Sequence, residues 1–176
     1  MTGDDTLIAR FLARRDERAF LAVYHRHTPV IYRVARRMTG DTIGSEDIVQ
    51  ETWIRAIEGI AGFRGNSSLR TWLVAISCNI VRERRRASYP VDRDIPLPAD
   101  GIAMRPEDPA RRLDLERALE ALPVGYRDVI VLHDIEGFTH AECAALLGIE
   151  ESTSRSQLHH ARRTMRAIIR ASGVSS

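Results

Sequence analysis

A glycine at position 148, set between two stretches of helical periodicity, constrains this chain more than any other feature. Thr139 is a good N-cap for a first helix whose apolar residues fall at Cys143, Ala144, Leu146 and Leu147. Gly148 then stands where a helix end favours a residue that accepts positive φ, and Ile149 can plug the corner. Glu150, Glu151, Ser152 and Thr153 suit the start of a second helix. On that helix Ser154, Leu158, Ala161, Met165 and Ile168 recur as a buried stripe, while Ser152, Arg155, Ser156, His159 and Arg163 share another face. The pattern predicts a helix–turn–helix over 139–163, a unit that presents its second helix to the major groove of duplex DNA.

Charge is distributed to match. Residues 113–151 hold nine acids and two arginines, whereas 152–176 hold five arginines and no acid. The whole chain of 176 residues is only +2, so any attraction for phosphate has to be regional. All 26 basic residues are arginine, whose planar fork suits phosphate and guanine.

Upstream of this unit the chain divides in two. Residues 1–87 are strongly helical text with 15 arginines against 10 acids. Residues 88–112 hold five of the seven prolines without sustained periodicity, which predicts a flexible linker able to stretch roughly 80 Å. No strand alternation or repeat is present. The expected fold is all-α: a helical domain over 1–87, a linker over 88–112 and a helix–turn–helix domain over 113–176.

The first domain has its own constellation. Phe20, Val23, Tyr24, Val30, Ile31, Val34, Ala35 and Met38 define an amphipathic helix, expected to bend or break near Pro29. Ser45 is the expected cap of the next helix, with Glu46 and Asp47 in its first turn. There Ile48, Val49, Trp53, Ala56, Ile57 and Ile60 make an apolar set and leave Asp47, Gln50, Glu51 and Arg55 for an outer surface. A polar loop containing Phe63, Arg64, Asn66, Ser67, Ser68 and Arg70 precedes a helix with Leu69, Trp72, Leu73, Ile76 and Ile80 inward. Thr71, Asn79, Arg82 and Arg86 are expected outward. An aromatic, small polar residues and arginines in this order suit single-stranded nucleic acid: stacking, base-edge hydrogen bonds and phosphate tracking.

Together SEDIVQETWIRAI, FRGNSSLRTWLVAISCNIVRERRR and LPVGYRDVIVLHDIEGFTHAECAALLGI resemble the extracytoplasmic-function (ECF) sigma factors of bacterial RNA polymerase. The resemblance covers about residues 16–87 and 113–170. It implies that the first domain binds core polymerase and melts and reads the promoter −10 element, and that the second reads the duplex −35 element. Asp47, Gln50, Glu51 and Arg55 correspond to the surface for the clamp helices of the largest polymerase subunit. Phe63, Arg64, Asn66, Ser67, Ser68, Arg70, Asn79, Arg82 and Arg86 correspond to the −10 surface. Ser152, Thr153, Arg155, Ser156, His159, Arg162 and Arg163 correspond to the −35 surface. The flap of the second-largest subunit and an anti-sigma factor are further implied partners. The chain departs from the family at Ser154, where a buried valine is common, and at Gln157 and His160, where arginines are common.

A one-component helix–turn–helix regulator independent of core polymerase is the alternative, but it leaves the Asp47–Arg86 block unexplained. An enzyme is disfavoured. His25 with His27 lies on a charged helix face and His159 with His160 among arginines, and no nucleophile, carboxylate pair or phosphate loop accompanies them. Cys78 and Cys143 sit in apolar patterns and read as small buried hydrophobes, so no metal site, disulfide or cofactor is expected. No apolar run approaches the ~20 residues of a membrane span. The expectation is a cytoplasmic protein.

Overall fold

The computed structural model describes residues 3–88 and 111–171, apart from the side chains of 42, 43, 88 and 111–114. Residues 89–110 of the expected linker lie outside them. Every element is helical, with no strand among the described residues. The chain separates into two compact units, Met1–Arg85 and Arg86–Ser176.

The first unit contains α1 (Gly3–Arg14), α2 (Glu17–Thr39), α3 (Thr42–Gly59), a 3₁₀ turn (Ile60–Gly62) and all but the last three residues of α4 (Leu69–Ser88). Asp16 caps α2 by accepting from the Ala19 N–H at 3.1 Å. The helix runs through Pro29 without interruption. Pro29 forfeits one backbone bond, but Ala19, Val23, Val30, Ile31, Val34, Ala35 and Met38 bury the same face on both sides of it. That burial outweighs the ~3 kcal/mol or more that an interior proline costs. Gly40, at φ 74, ends the helix.

α3 begins earlier than expected. Asp41, not Ser45, is its cap, accepting from the Gly44 N–H at 3.0 Å. Ser45 is buried inside the helix, its hydroxyl turned back to the Asp41 carbonyl. An aspartate caps as well as a serine, and mid-helix serine satisfies itself on the preceding turn. Glu46 and Asp47 therefore do not occupy the first turn.

The core of this unit is formed by Ile31, Met38, Ile48, Leu73, Val74, Ile80 and Val81, with Cys78 against Met38. Phe20, Tyr24 and Trp53 cluster beside it, and the Trp53 indole donates to Thr28 Oγ1 at 3.0 Å. His27, expected on a charged face, is instead only 5% exposed, its Nε2 3.0 Å from Asp4. The same carboxylate takes the Arg26 guanidinium, so one aspartate of α1 pins that helix to α2.

The second unit contains α5 (Arg111–Glu120), α6 (Val124–Ile130), a π-helical turn (Val131–Ile135), α7 (His140–Leu147) and α8 (Glu151–Ala171). Leu119, Val129, Val131, Leu132, Cys143, Leu146, Leu158 and Ala161 are its centre. Burial pushes the Cys143 thiol up to about 12, which leaves it a small hydrophobe rather than a nucleophile.

Candidate polymerase and nucleic-acid interfaces

Along α3 the residues 47, 50, 51, 54, 55 and 58 repeat at helical spacing and share one face. Asp47 and Gln50 are exposed, whereas Glu51 and Arg55 belong to a network that ties α3 to α4. Arg55 donates to Glu83 at 3.1 and 2.7 Å and to Glu51 at 2.5 Å, and Arg84 donates to the other Glu51 oxygen at 3.0 Å. The Glu83 bond, then Glu51, raises the Arg55 pKa above its ordinary value. At the centre of this polar face stands Ile54, 58% exposed. Ile57, expected inward, is also 44% exposed. An apolar residue rimmed by polar ones is the arrangement of a protein-binding hot spot. Sorting α3 into an inner apolar set and an outer polar strip leaves Ile54 in neither, although its spacing from Asp47 and Glu51 was readable.

The polar loop and α4 are joined into one surface. Phe63 is half-buried, its ring 5.2 Å from that of Trp72, and Gly65 takes φ 70 to turn the chain. Trp72, expected inward, is itself only half-buried, as is Ile76. Arg64, Asn66, Ser67 and Ser68 are exposed. Ser68 is the cap of α4: its hydroxyl accepts from the Thr71 N–H at 3.0 Å and pairs with Thr71 Oγ1 at 2.8 Å. Asn79 and Arg86 are exposed on the α4 face that Thr71 and Trp72 also share, with Arg82 half-buried beside them and Arg70 half-buried on another face. The loop meets α4 through the Phe63–Trp72 pair, and Asn79 and Arg86 follow Trp72 along the same helix face.

In the second unit, Thr139 and Glu142 form a capping box: the Thr139 hydroxyl accepts from the Glu142 N–H, and Glu142 accepts from the Thr139 N–H at 2.8 Å. Gly148, at φ 67, ends α7, and the Ile149 N–H bonds back to the Ala144 carbonyl at 3.1 Å. Ser154, Leu158, Ala161 and Met165 are buried, and Ser152, Arg155, Ser156, His159, Arg162 and Arg163 are exposed, with Thr153 half-buried. Arg155 folds onto Glu151 one turn earlier. The Ser154 hydroxyl, fully buried where an apolar side chain would serve, is matched by His140 Nδ1 at 3.0 Å. His160 stacks on Tyr126 at 5.9 Å.

A third histidine pair escapes any local reading of the sequence. The His133 and His140 rings stack at 4.3 Å across the π turn and the start of α7. His133 Nδ1 lies 2.8 Å from Asp134, and Asp134 takes a two-pronged bond from Arg162 at 2.8 and 2.7 Å. The Arg162 bonds hold the Asp134 carboxyl below its usual range. His140 is lowered as well, by burial first and then by the charges of His133, Arg155 and Arg162, with Glu151 opposing. Among the described residues no cluster of His, Cys, Asp and Glu has the makings of a metal site. No helix among them is long and apolar enough to cross a membrane.

Residues 23–89 match the Sigma-70 region 2 family, and residues 112–165 match the family Sigma-70, region 4. The ECF RNA polymerase sigma factor SigL of Mycobacterium tuberculosis is 34% identical over 164 residues, covering 88% of this chain and 90% of that protein. The chain belongs to the ECF sigma factors. SigW of Bacillus subtilis is 30% identical over 172 residues and covers 88% of this chain and 91% of its own. SigE of Mycolicibacterium smegmatis is 34% identical over 151 residues, but there the match spans 57% of the relative's length. Among solved structures, CnrH in complex with the cytosolic domain of CnrY aligns with a TM-score of 0.70 at 27% identity, over 97% of this chain and 99% of that one. The sigma factor RpoE of Bartonella quintana, solved with the anti-sigma factor NepR, shares the fold at 0.69 and 23% identity, over 86% and 96%. Sigma factors bind core RNA polymerase and promoter DNA to begin transcription, and two matched regions in this order support that reading rather than a free-standing one-component regulator.

Proposed function

We propose the following division of labour within this sigma factor. The α3 face of Asp47, Gln50, Glu51, Ile54 and Arg55 docks on the clamp helices of the largest polymerase subunit. The loop of Phe63, Arg64, Asn66, Ser67, Ser68 and Arg70, with Asn79, Arg82 and Arg86 of α4, captures unstacked −10 bases. Asn66 and Asn79 supply base-edge hydrogen bonds, and the half-buried Phe63–Trp72 pair supplies an aromatic floor. Ser68 serves chiefly by fixing the loop's exit into α4. In the second unit Ser152, Thr153, Arg155, Ser156, His159, Arg162 and Arg163 address the −35 duplex, and the unit also meets the flap of the second-largest subunit.

The observation that carries this reading is the sorting along α8. After a tight turn Leu158, Ala161 and Met165 are buried with Ser154 on one face, and Ser152, Ser156, His159 and the arginines lie exposed along the opposite one. No chemical step is needed. Trapping flipped bases offsets the few kcal/mol that each unstacked step costs, so opening is driven by binding. The work belongs in the cytoplasm, beside core polymerase. CnrH and the Bartonella relative are solved bound to CnrY and NepR, which supports an anti-sigma factor as an additional partner here.

Photo-crosslinking within reconstituted holoenzyme on promoter DNA tests each assignment. A crosslinker at position 54 should capture the largest subunit, at 66 the −10 non-template strand, and at 156 the −35 duplex. Capture of −35 DNA from position 66, or of no polymerase subunit from position 54, overturns the corresponding assignment.

A further inference from the structure

The arginines of α8 are held in different ways. The Glu151–Arg155 pair is local, one turn apart, with Arg155 64% exposed, so solvent or a base edge can replace it at little cost. Arg163 projects into solvent. Arg162, itself 51% exposed, is held by a two-pronged bond: both the Nε and Nη2 donors reach one carboxylate, at 2.8 and 2.7 Å. That carboxylate belongs to Asp134 of the π turn, 28 residues away in sequence. Asp134 is itself braced by His133 Nδ1 at 2.8 Å, and the His133 ring rests on His140, whose Nδ1 reaches the buried Ser154. The chain of contacts starts on α8, crosses the π turn and α7, and returns to α8.

Two consequences follow from elementary electrostatics. A paired aspartate and arginine cancel at long range, so Arg162 adds little to the attraction of α8 for an arbitrary duplex. A guanidinium has five N–H donors, and those that Asp134 leaves unused point in a direction fixed by the clamp. Arg162 also lies two turns along the helix from Arg155, on the same stripe.

Resting on the −35 reading above, we propose that Asp134 is a specificity-determining positioning residue. By clamping Arg162 it withholds that cation from indiscriminate phosphate binding and presents the remaining donors to a correctly seated −35 duplex.

The test uses holoenzyme containing the full chain. One duplex is selected by the wild-type holoenzyme from a randomised −35 library, and the other has that element scrambled. Affinity is measured over a series of salt concentrations. Asp134→Asn preserves shape while removing the charge. It should tighten binding to the scrambled duplex roughly 3- to 10-fold at low salt and steepen the salt slope by roughly one unit. The preferred duplex should gain less, so the specificity ratio falls. In an Arg162→Ala background the same change should leave the specificity ratio unaltered, because only the repulsion between the acid and phosphate is then removed. Arg162→Lys keeps the charge without the fork, and should lose specificity while retaining the slope. Thermal melts confirm that each variant folds. Discrimination that survives Asp134→Asn unchanged, or an equal loss of discrimination with Arg162 absent, overturns the inference alone. Wild-type holoenzyme that shows no −35 preference overturns the inference and the −35 reading together.

Discussion

Truncating Ile54 to alanine separates recognition from stability more cleanly than any charge reversal on α3. With 58% of the residue exposed, less than half of its burial is at stake within the protein. Full burial of an isoleucine side chain is worth about 1.5–3 kcal/mol, so the folded unit loses roughly 1 kcal/mol. Alanine's better helix propensity returns a few tenths of that. Against polymerase the exposed remainder is what becomes covered. Losing it costs roughly 1–2 kcal/mol, a factor of about 5–30 in Kd. Because the lost term is apolar, the factor should be nearly independent of salt. Glu51→Lys is less informative, since Glu51 holds both Arg55 and Arg84 and its reversal disturbs the seam between α3 and α4. Asp47→Lys, away from that network, should weaken binding with a clear salt dependence. The assay is equilibrium binding of labelled protein to purified core polymerase at two ionic strengths, with circular dichroism on each variant. Wild-type affinity from a natively folded Ile54→Ala protein refutes the placement of the polymerase surface on this face.

Replacing Asn66 or Asn79 with alanine should reduce open-complex formation and relax preference at one −10 position while core binding is retained; permanganate footprints and a −10 variant library check both. Arg155→Ala should cost ~1–3 kcal/mol on the preferred −35 sequence and less on variants of one base pair. Arg163→Ala should weaken all sequences about equally and lower the salt slope by roughly one unit, both read by holoenzyme binding to a −35 library at two salt concentrations. The lowered His140 pKa makes the unfolded chain bind more protons just below its ordinary value of 6.5. The second unit should therefore lose stability as pH falls from 6.5 toward the folded-state pKa, and His140→Gln should flatten that part of a melting-temperature profile.

Much of the fold is legible in the sequence because its determinants are local. Thr139, Glu142 and Gly148 act within one or two turns of themselves, and the buried set of α8 follows a period of 3.6 residues. What the sequence withholds is pairing at a distance. Asp134 meets Arg162, Arg55 meets Glu83 and Asp4 meets His27 because helices pack side by side, and no periodicity encodes which charge finds which partner. His133 and His140 stack only because a π turn and the Gly137–Thr139 corner bring them together. Ser45 differs from expectation for another reason: two adequate caps lie four residues apart, and the earlier one, Asp41, prevails. Ile54 was within reach, since an apolar residue at the centre of a polar helix face is itself a pattern.

Run-off transcription by purified core polymerase, with and without this protein, tests the central claim most directly. Genomic fragments from the source organism serve as template. Discrete transcripts that appear only with the protein, and vanish with Ile54→Ala at limiting concentration, are the predicted result. A folded protein that neither associates with core polymerase nor yields any specific transcript contradicts the account.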